Sequence, residues 1–270
     1  MKCINKWICL SLLIAVSCVS GCGKTSAAIE QPYDVYATAA DFGLSSNGTA
    51  EAKSYFASDL CVSEDVAIGT DSTDSQVAEG AGTFNLETNT VVYAKNLYER
   101  LYPASTTKIL TAYIALKYCD DLDAMVTVSE NAVNQASDSS VCNLKAGDVI
   151  RLRDLLYGLM LRSGNDAAVA IAEYISGDVD SFAALMNQEA AAMGATRSHF
   201  VNPNGLPDEN HYTCVYDMYL IFNECIKHQE FMDIISSDSY TADITGTDGT
   251  VRQVTWYPTS YYAKGEAALP

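Results

Sequence analysis

Pro103-Ala104-Ser105-Thr106-Thr107-Lys108-Ile109-Leu110-Thr111-Ala112-Tyr113-Ile114-Ala115-Leu116 decides the fold of this chain, because the run is apolar on most sides yet carries a serine and a lysine at its start. A helix that is apolar nearly all round belongs inside a domain, and Pro103 stands where a proline is tolerated near a helix start. Ser105 then lies in the first turn of a buried helix, with Lys108 three residues on and on the same face. A serine hydroxyl is a poor nucleophile until a neighbouring base takes its proton, and a lysine can do so only when partly neutral. Bringing a lysine pKa from about 10.4 to roughly 7 or 8 takes some 3 to 4 kcal/mol directed against the ammonium form. Burial supplies shifts of that kind, and the backbone N–H of Ser105 at the helix start is placed to receive developing negative charge. Alone, Ser-x-x-Lys is a weak signal, and an ordinary helix start with a surface lysine is the plain alternative.

Working outward, the segment before this helix, Thr83 to Lys95, places Phe84 and Leu86 before a polar Glu87-Thr88-Asn89-Thr90 and Val91-Val92-Tyr93 after it, which predicts two short strands and a turn. Beyond it, Leu152–Leu161 and Asp166–Ile175 read as helices separated by Ser163-Gly164-Asn165. Ser-x-Asn also occurs at Ser45-Ser46-Asn47 and Ser129-Glu130-Asn131, but only the Ser163 copy stands between two apolar, helix-patterned runs. Phe182, Leu185, Met186, Ala190 and Met193 keep helical spacing up to a terminating Gly194, Pro203-Asn204-Gly205 marks a loop, and Tyr216 to Ile235 reads as one more helix. Strand-like pieces follow between Tyr240 and Trp256, around Thr247-Asp248-Gly249. Strands, then helices, then strands again predict an α+β domain.

The N-terminus is of another kind. Lys2 and Lys6 precede an apolar run from Trp7 to Val19, and small residues follow at Ser20 and Gly21, so residues 1–21 read as a signal peptide too short to span a bilayer. Val19-Ser20-Gly21-Cys22 resembles the lipobox of bacterial lipoproteins, which makes Cys22 the candidate lipidation site and the membrane a partner; two acyl chains anchor stably where one does not. Ordinary secretion, with Cys22 a bystander, is the weaker alternative. Residues 22–82, rich in Ala, Ser, Thr, Asp and Gly, read as a tether, leaving 83–270 as the folded domain.

The chain has 270 residues, 49% of them hydrophobic, which is enough for one sizeable core. Its formal charge is −18, and removing residues 1–21 with two lysines and no acid makes it −20. Nucleic-acid binding needs a basic face, so that class of function is excluded. Three scattered histidines, His199, His211 and His228, form no metal motif and read as structural. Of nine cysteines, five lie beyond Cys22 (Cys61, Cys119, Cys142, Cys214 and Cys225); none is in C-x-x-C spacing, and they permit at most two bridges.

Pro103-Ala104-Ser105-Thr106-Thr107-Lys108, Leu144-Lys145-Ala146-Gly147-Asp148, Asp154-Leu155-Leu156-Tyr157-Gly158-Leu159 and Ser163-Gly164-Asn165-Asp166-Ala167-Ala168, with Phe200-Val201-Asn202-Pro203-Asn204-Gly205-Leu206 and His211-Tyr212-Thr213, together resemble the low-molecular-mass D-alanyl-D-alanine carboxypeptidases. These are serine penicillin-binding proteins of the bacterial cell wall. The resemblance implies a β-lactamase/transpeptidase-like fold, a helical cluster on an antiparallel sheet. It makes Ser105 the acylated nucleophile, Lys108 the general base, Ser163 a proton relay to the leaving amine and Asn165 the group that binds the substrate's peptide carbonyl. The implied substrate is a peptidoglycan stem peptide, the implied inhibitors are β-lactams, and no metal or nucleotide cofactor is needed. Location follows as the outer face of the cytoplasmic membrane.

One word of the family is absent. No Lys-Thr-Gly occurs in the sequence; Lys264-Gly265-Glu266 is the nearest approach and reads as a loop. The family uses that strand to receive the substrate carboxylate and to donate a second oxyanion N–H, and losing one such donor costs about a hundred- to a thousandfold. The expectation is therefore of a domain whose later sheet strands are missing, with a non-catalytic penicillin- or wall-binding lipoprotein as the alternative. A class A β-lactamase is less favoured, because Gly164 stands where those enzymes usually carry aspartate.

Overall fold

The computed structural model describes residues 57–69 and 78–259. The signal peptide, Cys22, most of the tether and Lys264-Gly265-Glu266 lie outside the described residues. No helix among the described residues is long and apolar enough to cross a membrane.

Strands β1 (Ala81–Asn85) and β2 (Thr90–Lys95) form the expected antiparallel hairpin. Its turn is set by Asn85, whose Oδ1 accepts from the backbone N–H groups of Glu87 and Thr88 at 3.0 Å each. Helix α1 (Thr107–Tyr118) follows a short 3-10 turn, Ala104–Thr106, and buries Leu110, Ala112, Tyr113, Ile114 and Ala115. A strand β3 (Met125–Thr127), a short helix α2 (Glu130–Val133) and a strand β4 (Val149–Arg151) lead to α3 (Leu152–Leu161), α4 (Asn165–Ser176) and α5 (Val179–Ala192). These helices surround α1 and bury its sides in one continuous apolar core, the environment that its uninterrupted apolar letters require.

The predicted helix from Tyr216 to Ile235 is two helices, α6 (Val215–Cys225) and α7 (Gln229–Ile235). The break comes where the His228 N–H bonds to the Cys225 carbonyl at 3.0 Å, a tighter turn than the α-helix makes, while the His228 ring meets Tyr113 of α1 edge-on at 5.6 Å. Strands β5 (Tyr240–Thr245) and β6 (Val251–Trp256) form a second hairpin. They do not join β1 and β2. They extend β3 and β4 into a four-stranded sheet in the order β3-β4-β5-β6, so the described strands form two antiparallel sheets, this one and the β1-β2 hairpin. The join is held by side chains: Arg252 of β6 pairs with the buried Asp148 carboxylate, with one contact at 2.7 Å, and the Trp256 indole N–H donates to the Cys142 carbonyl at 3.3 Å. Among the described strands β1 pairs with β2 alone, and an apolar groove of about 410 Å³ runs between Gly82, Phe84, Thr106, Ile109, Met218 and Phe222.

Packing begins before Thr83. Cys61, assigned above to the tether, is fully buried: its N–H bonds to the Tyr219 hydroxyl and its carbonyl accepts from Tyr216, each at 2.9 Å, and Ile68 bridges to Ala94 of β2. Phe84 stacks on Tyr219 with ring centres 4.2 Å apart, so two tyrosines of α6 join this segment to β1. All five described cysteines are free thiols, four of them buried and Cys119 half-buried.

Candidate active site

Lys108 is the centre of the site. Its side chain is 2% exposed, and its Nζ donates to three oxygens: Ser105 Oγ at 3.1 Å, Asn165 Oδ1 at 2.8 Å and the Asn204 carbonyl at 2.7 Å. An ammonium has three protons and no acceptor site, so these contacts use all of them. Burial lowers the Lys108 pKa to about 8, against the opposing pull of Cys142 and Asp166. This falls in the range that activation of a serine requires.

Ser105 stands on the 3-10 turn, one residue after Ala104, whose φ of +47° is unusual for a residue with a side chain. Ser163 has φ +58°. Two non-glycine residues in sparsely populated backbone conformations thus stand one residue before Ser105 and two before Asn165, both of which meet Lys108 Nζ. Asn165 is the first residue of α4. Its N–H donates to the Ser140 carbonyl at 2.8 Å, which fixes the helix end and turns Oδ1 toward Lys108. Ser163 is half-buried two residues earlier, and it is not among the three acceptors of Lys108 Nζ. Ser105 and Asn165 therefore both meet Lys108 Nζ, and Ser163 stands two residues before Asn165 in the connection between α3 and α4.

Two supports were not foreseen. Asp166, buried behind Asn165, accepts from the N–H groups of Cys142 at 2.8 Å, Leu144 at 3.1 Å and Ala167 at 2.9 Å, tying the Ser140–Leu144 loop to α4. Gly164 is glycine because a Cβ there would lie 2.3 Å from Cys142 Sγ. The other support is the loop Asn202–Leu206. Asn202 Oδ1 accepts from the Gly205 N–H at 2.7 Å and Thr111 of α1 donates to the Pro203 carbonyl at 2.7 Å, so the loop is clamped on α1 with the Asn204 carbonyl facing Lys108. The Asn-Gly pair was the available signal: Gly205 has φ +85°, and a Cβ there would come within 1.8 Å of the Ala104 carbonyl oxygen. Gly205→Ala is accordingly expected to displace the turn carrying Ser105, to lower stability by about 1–3 kcal/mol and to slow acylation at Ser105. Urea unfolding and a penicillin-labelling time course measure the two effects separately.

The geometry sets an exposed serine hydroxyl 3.1 Å from a buried lysine amine. Residues 69–260 match the family model described as D-alanyl-D-alanine carboxypeptidase. The chain belongs to that family. Within the carboxypeptidase family, it is 36% identical over 156 residues to the D-alanyl-D-alanine carboxypeptidase DacF of Bacillus subtilis (strain 168), covering 56% of this chain and 40% of the relative. It is 34% identical over 193 residues to the D-alanyl-D-alanine carboxypeptidase of Streptomyces sp. (strain K15), covering 68% of this chain and 66% of the relative. The chain thus spans less than two thirds of the length of either. Its fold is shared with the crystal structure of the Streptomyces K15 DD-transpeptidase, with a TM-score of 0.64 at 32% identity over 69% of this chain and 74% of that one. The D-alanyl-D-alanine carboxypeptidase DacD of Francisella tularensis is similar at a TM-score of 0.60 and 33% identity, over 72% of this chain and 46% of that one. No group of three or more His, Cys, Asp or Glu side chains able to hold a metal occurs among the described residues.

Proposed function

We propose that this chain is a serine D-alanyl-D-alanine carboxypeptidase domain that acts on peptidoglycan stem peptides at the outer face of the cytoplasmic membrane, anchored there through a lipidated Cys22, and is acylated by β-lactams. The observation that carries the proposal is the threefold engagement of the buried Lys108 amine. When that amine is neutral it keeps two protons and gains a lone pair. Asn165 Oδ1 and the Asn204 carbonyl take the two protons, and the lone pair faces Ser105 Oγ.

Ser105 Oγ attacks the carbonyl carbon of the penultimate D-alanine as its proton passes to Lys108 Nζ. The tetrahedral oxyanion is stabilised by the Ser105 N–H at the head of the turn. Collapse breaks the peptide bond, and the proton returns through Ser163 to the departing amine of the terminal D-alanine. Water, deprotonated in the same way, then cleaves the ester and restores Ser105. Asn165 serves the substrate through its amide N–H₂, since its Oδ1 is occupied by Lys108. A β-lactam follows the first step, but its leaving amine stays attached and hinders the second.

Neutral Lys108 is the competent form, so acylation is expected to rise with pH through about 8 and to fall roughly tenfold per unit below it. Stopped-flow labelling with a fluorescent penicillin between pH 6 and 9 measures this, and a flat profile rejects Lys108 as the base. The function itself is tested by incubating the protein with a peptide ending in D-alanyl-D-alanine: release of D-alanine together with penicillin labelling supports it, and absence of both refutes it. Labelling without release supports the second reading, a penicillin-trapping protein with little turnover.

A further inference from the structure

His211 is a buried titratable side chain to which the proposed acyl transfer gives no task. It is 1% exposed and lies edge-on to Phe200 with ring centres 5.5 Å apart, yet both ring nitrogens are engaged. Nδ1 accepts from the Val201 N–H at 3.1 Å, and Nε2 lies 2.9 Å from Thr107 Oγ1. A backbone N–H can only donate, so Nδ1 carries the lone pair; the proton of the neutral ring is therefore on Nε2 and is donated to Thr107.

The two ends of this bridge matter because of what they adjoin. Thr107 is the first residue of α1, fully buried, with Ser105 two residues before it and Lys108 immediately after. Val201 leads into the loop whose Asn204 carbonyl accepts from Lys108 Nζ. The lysine amine is thus held between two segments remote in sequence, and one imidazole ring joins them at the nucleophile. We propose that His211 is a positioning residue: as the Nε2–H tautomer it fixes the Asn202–Leu206 loop to the turn bearing Ser105, and so sets the geometry in which Lys108 meets Ser105. Burial lowers the His211 pKa to about 4, with Asp208 opposing and His199 adding to the shift, so the ring is neutral at neutral pH and the tautomer persists. Protonation would set a second ring N–H against the Val201 N–H.

This inference rests on the proposed acyl transfer only for the reaction that is positioned, and two readouts separate the two claims. The full chain, labelled with ¹⁵N at histidine and lysine, is compared with His211→Phe, which keeps a ring against Phe200 but removes both bonds, with the near-isosteric Thr107→Val, which removes one partner, and with the double variant. NMR is expected to show Nε2 protonated and Nδ1 bare in the parent, and a displaced Lys108 Nζ signal in each single variant. Labelling with fluorescent penicillin is expected to show the acylation rate constant lowered about ten- to a hundredfold with the pre-covalent binding constant unchanged, and the double variant no slower than His211→Phe. A proton on Nδ1, a Lys108 signal unmoved in the folded variants, or losses from the two substitutions that simply multiply would overturn the proposal. If His211→Phe does not fold, Thr107→Val decides. A parent chain that neither takes penicillin nor releases D-alanine defeats the functional proposal, while the NMR signals still settle the positioning.

Discussion

Replacing Ser105 with alanine is expected to abolish covalent labelling by penicillin altogether. Acylation needs an oxygen on this turn, and no second hydroxyl shares its position. Thr106 Oγ1 donates to the Pro103 carbonyl at 2.6 Å, and Thr107 Oγ1 is buried against His211. Ser163, the remaining hydroxyl of the predicted set, is not among the three groups that accept from Lys108 Nζ. The substitution removes one exposed oxygen from a 3-10 turn and adds no bulk, so the melting temperature should hardly move. Mass spectrometry of the intact protein after penicillin treatment gives the answer directly: an adduct on the Ser105→Ala chain would place the nucleophile elsewhere.

The second large effect belongs to Lys108. Lys108→Met keeps the stem of the side chain and removes the base, and general-base losses run from about a hundred- to ten-thousandfold. Stability should fall as well, because the Asn165 Oδ1 and Asn204 carbonyl oxygens lose their buried donor, at about 1–3 kcal/mol for each group left unsatisfied. Lys108→Arg separates charge from basicity. A guanidinium can donate to the same oxygens but does not deprotonate in this pH range, so labelling should be slow and should no longer rise through pH 8. Recovery of the parental rate and pH profile by arginine would show that the position needs only positive charge, and the proton-transfer role would be lost.

The sequence made the centre of the site legible and left its frame obscure, for physical reasons. Helix α1 is readable because burial on every side demands apolar letters throughout, and against that background Lys108 stands out. Asn165 is readable because its motif interrupts two patterned helices. Asn204 acts through a backbone carbonyl on a residue 96 positions from Lys108, and a carbonyl has no letter. Asp166 likewise works by collecting backbone N–H groups from another loop. Strands β3 and β4 have three residues each, too few to show alternation, and β4 meets β5 through the single register pair Val149–Thr245. The second sheet was hidden for that reason, and β5 and β6 were visible as strands without a visible partner. The ordered start around Cys61 was masked by its small polar neighbours, since its burial comes from tyrosines of α6 and not from its own segment.

The contact between Trp256 and Cys142 spans 114 residues, and its consequence lies in time more than in space. Ser105, Lys108, Ser163 and Asn165 all leave the ribosome before the hairpin that braces their loop. At about 5–20 residues per second, the growing chain therefore spends on the order of ten seconds with every one of these side chains synthesised and the loop behind Asn165 still unsupported by β6. Until Trp256 arrives, the Ser140–Leu144 loop lacks the indole bond that ties it to β6, and until Arg252 arrives the Asp148 carboxylate lacks its guanidinium partner. Competence for acylation should appear late and abruptly in biosynthesis, as a property of the closed hairpin and not of the motifs it follows.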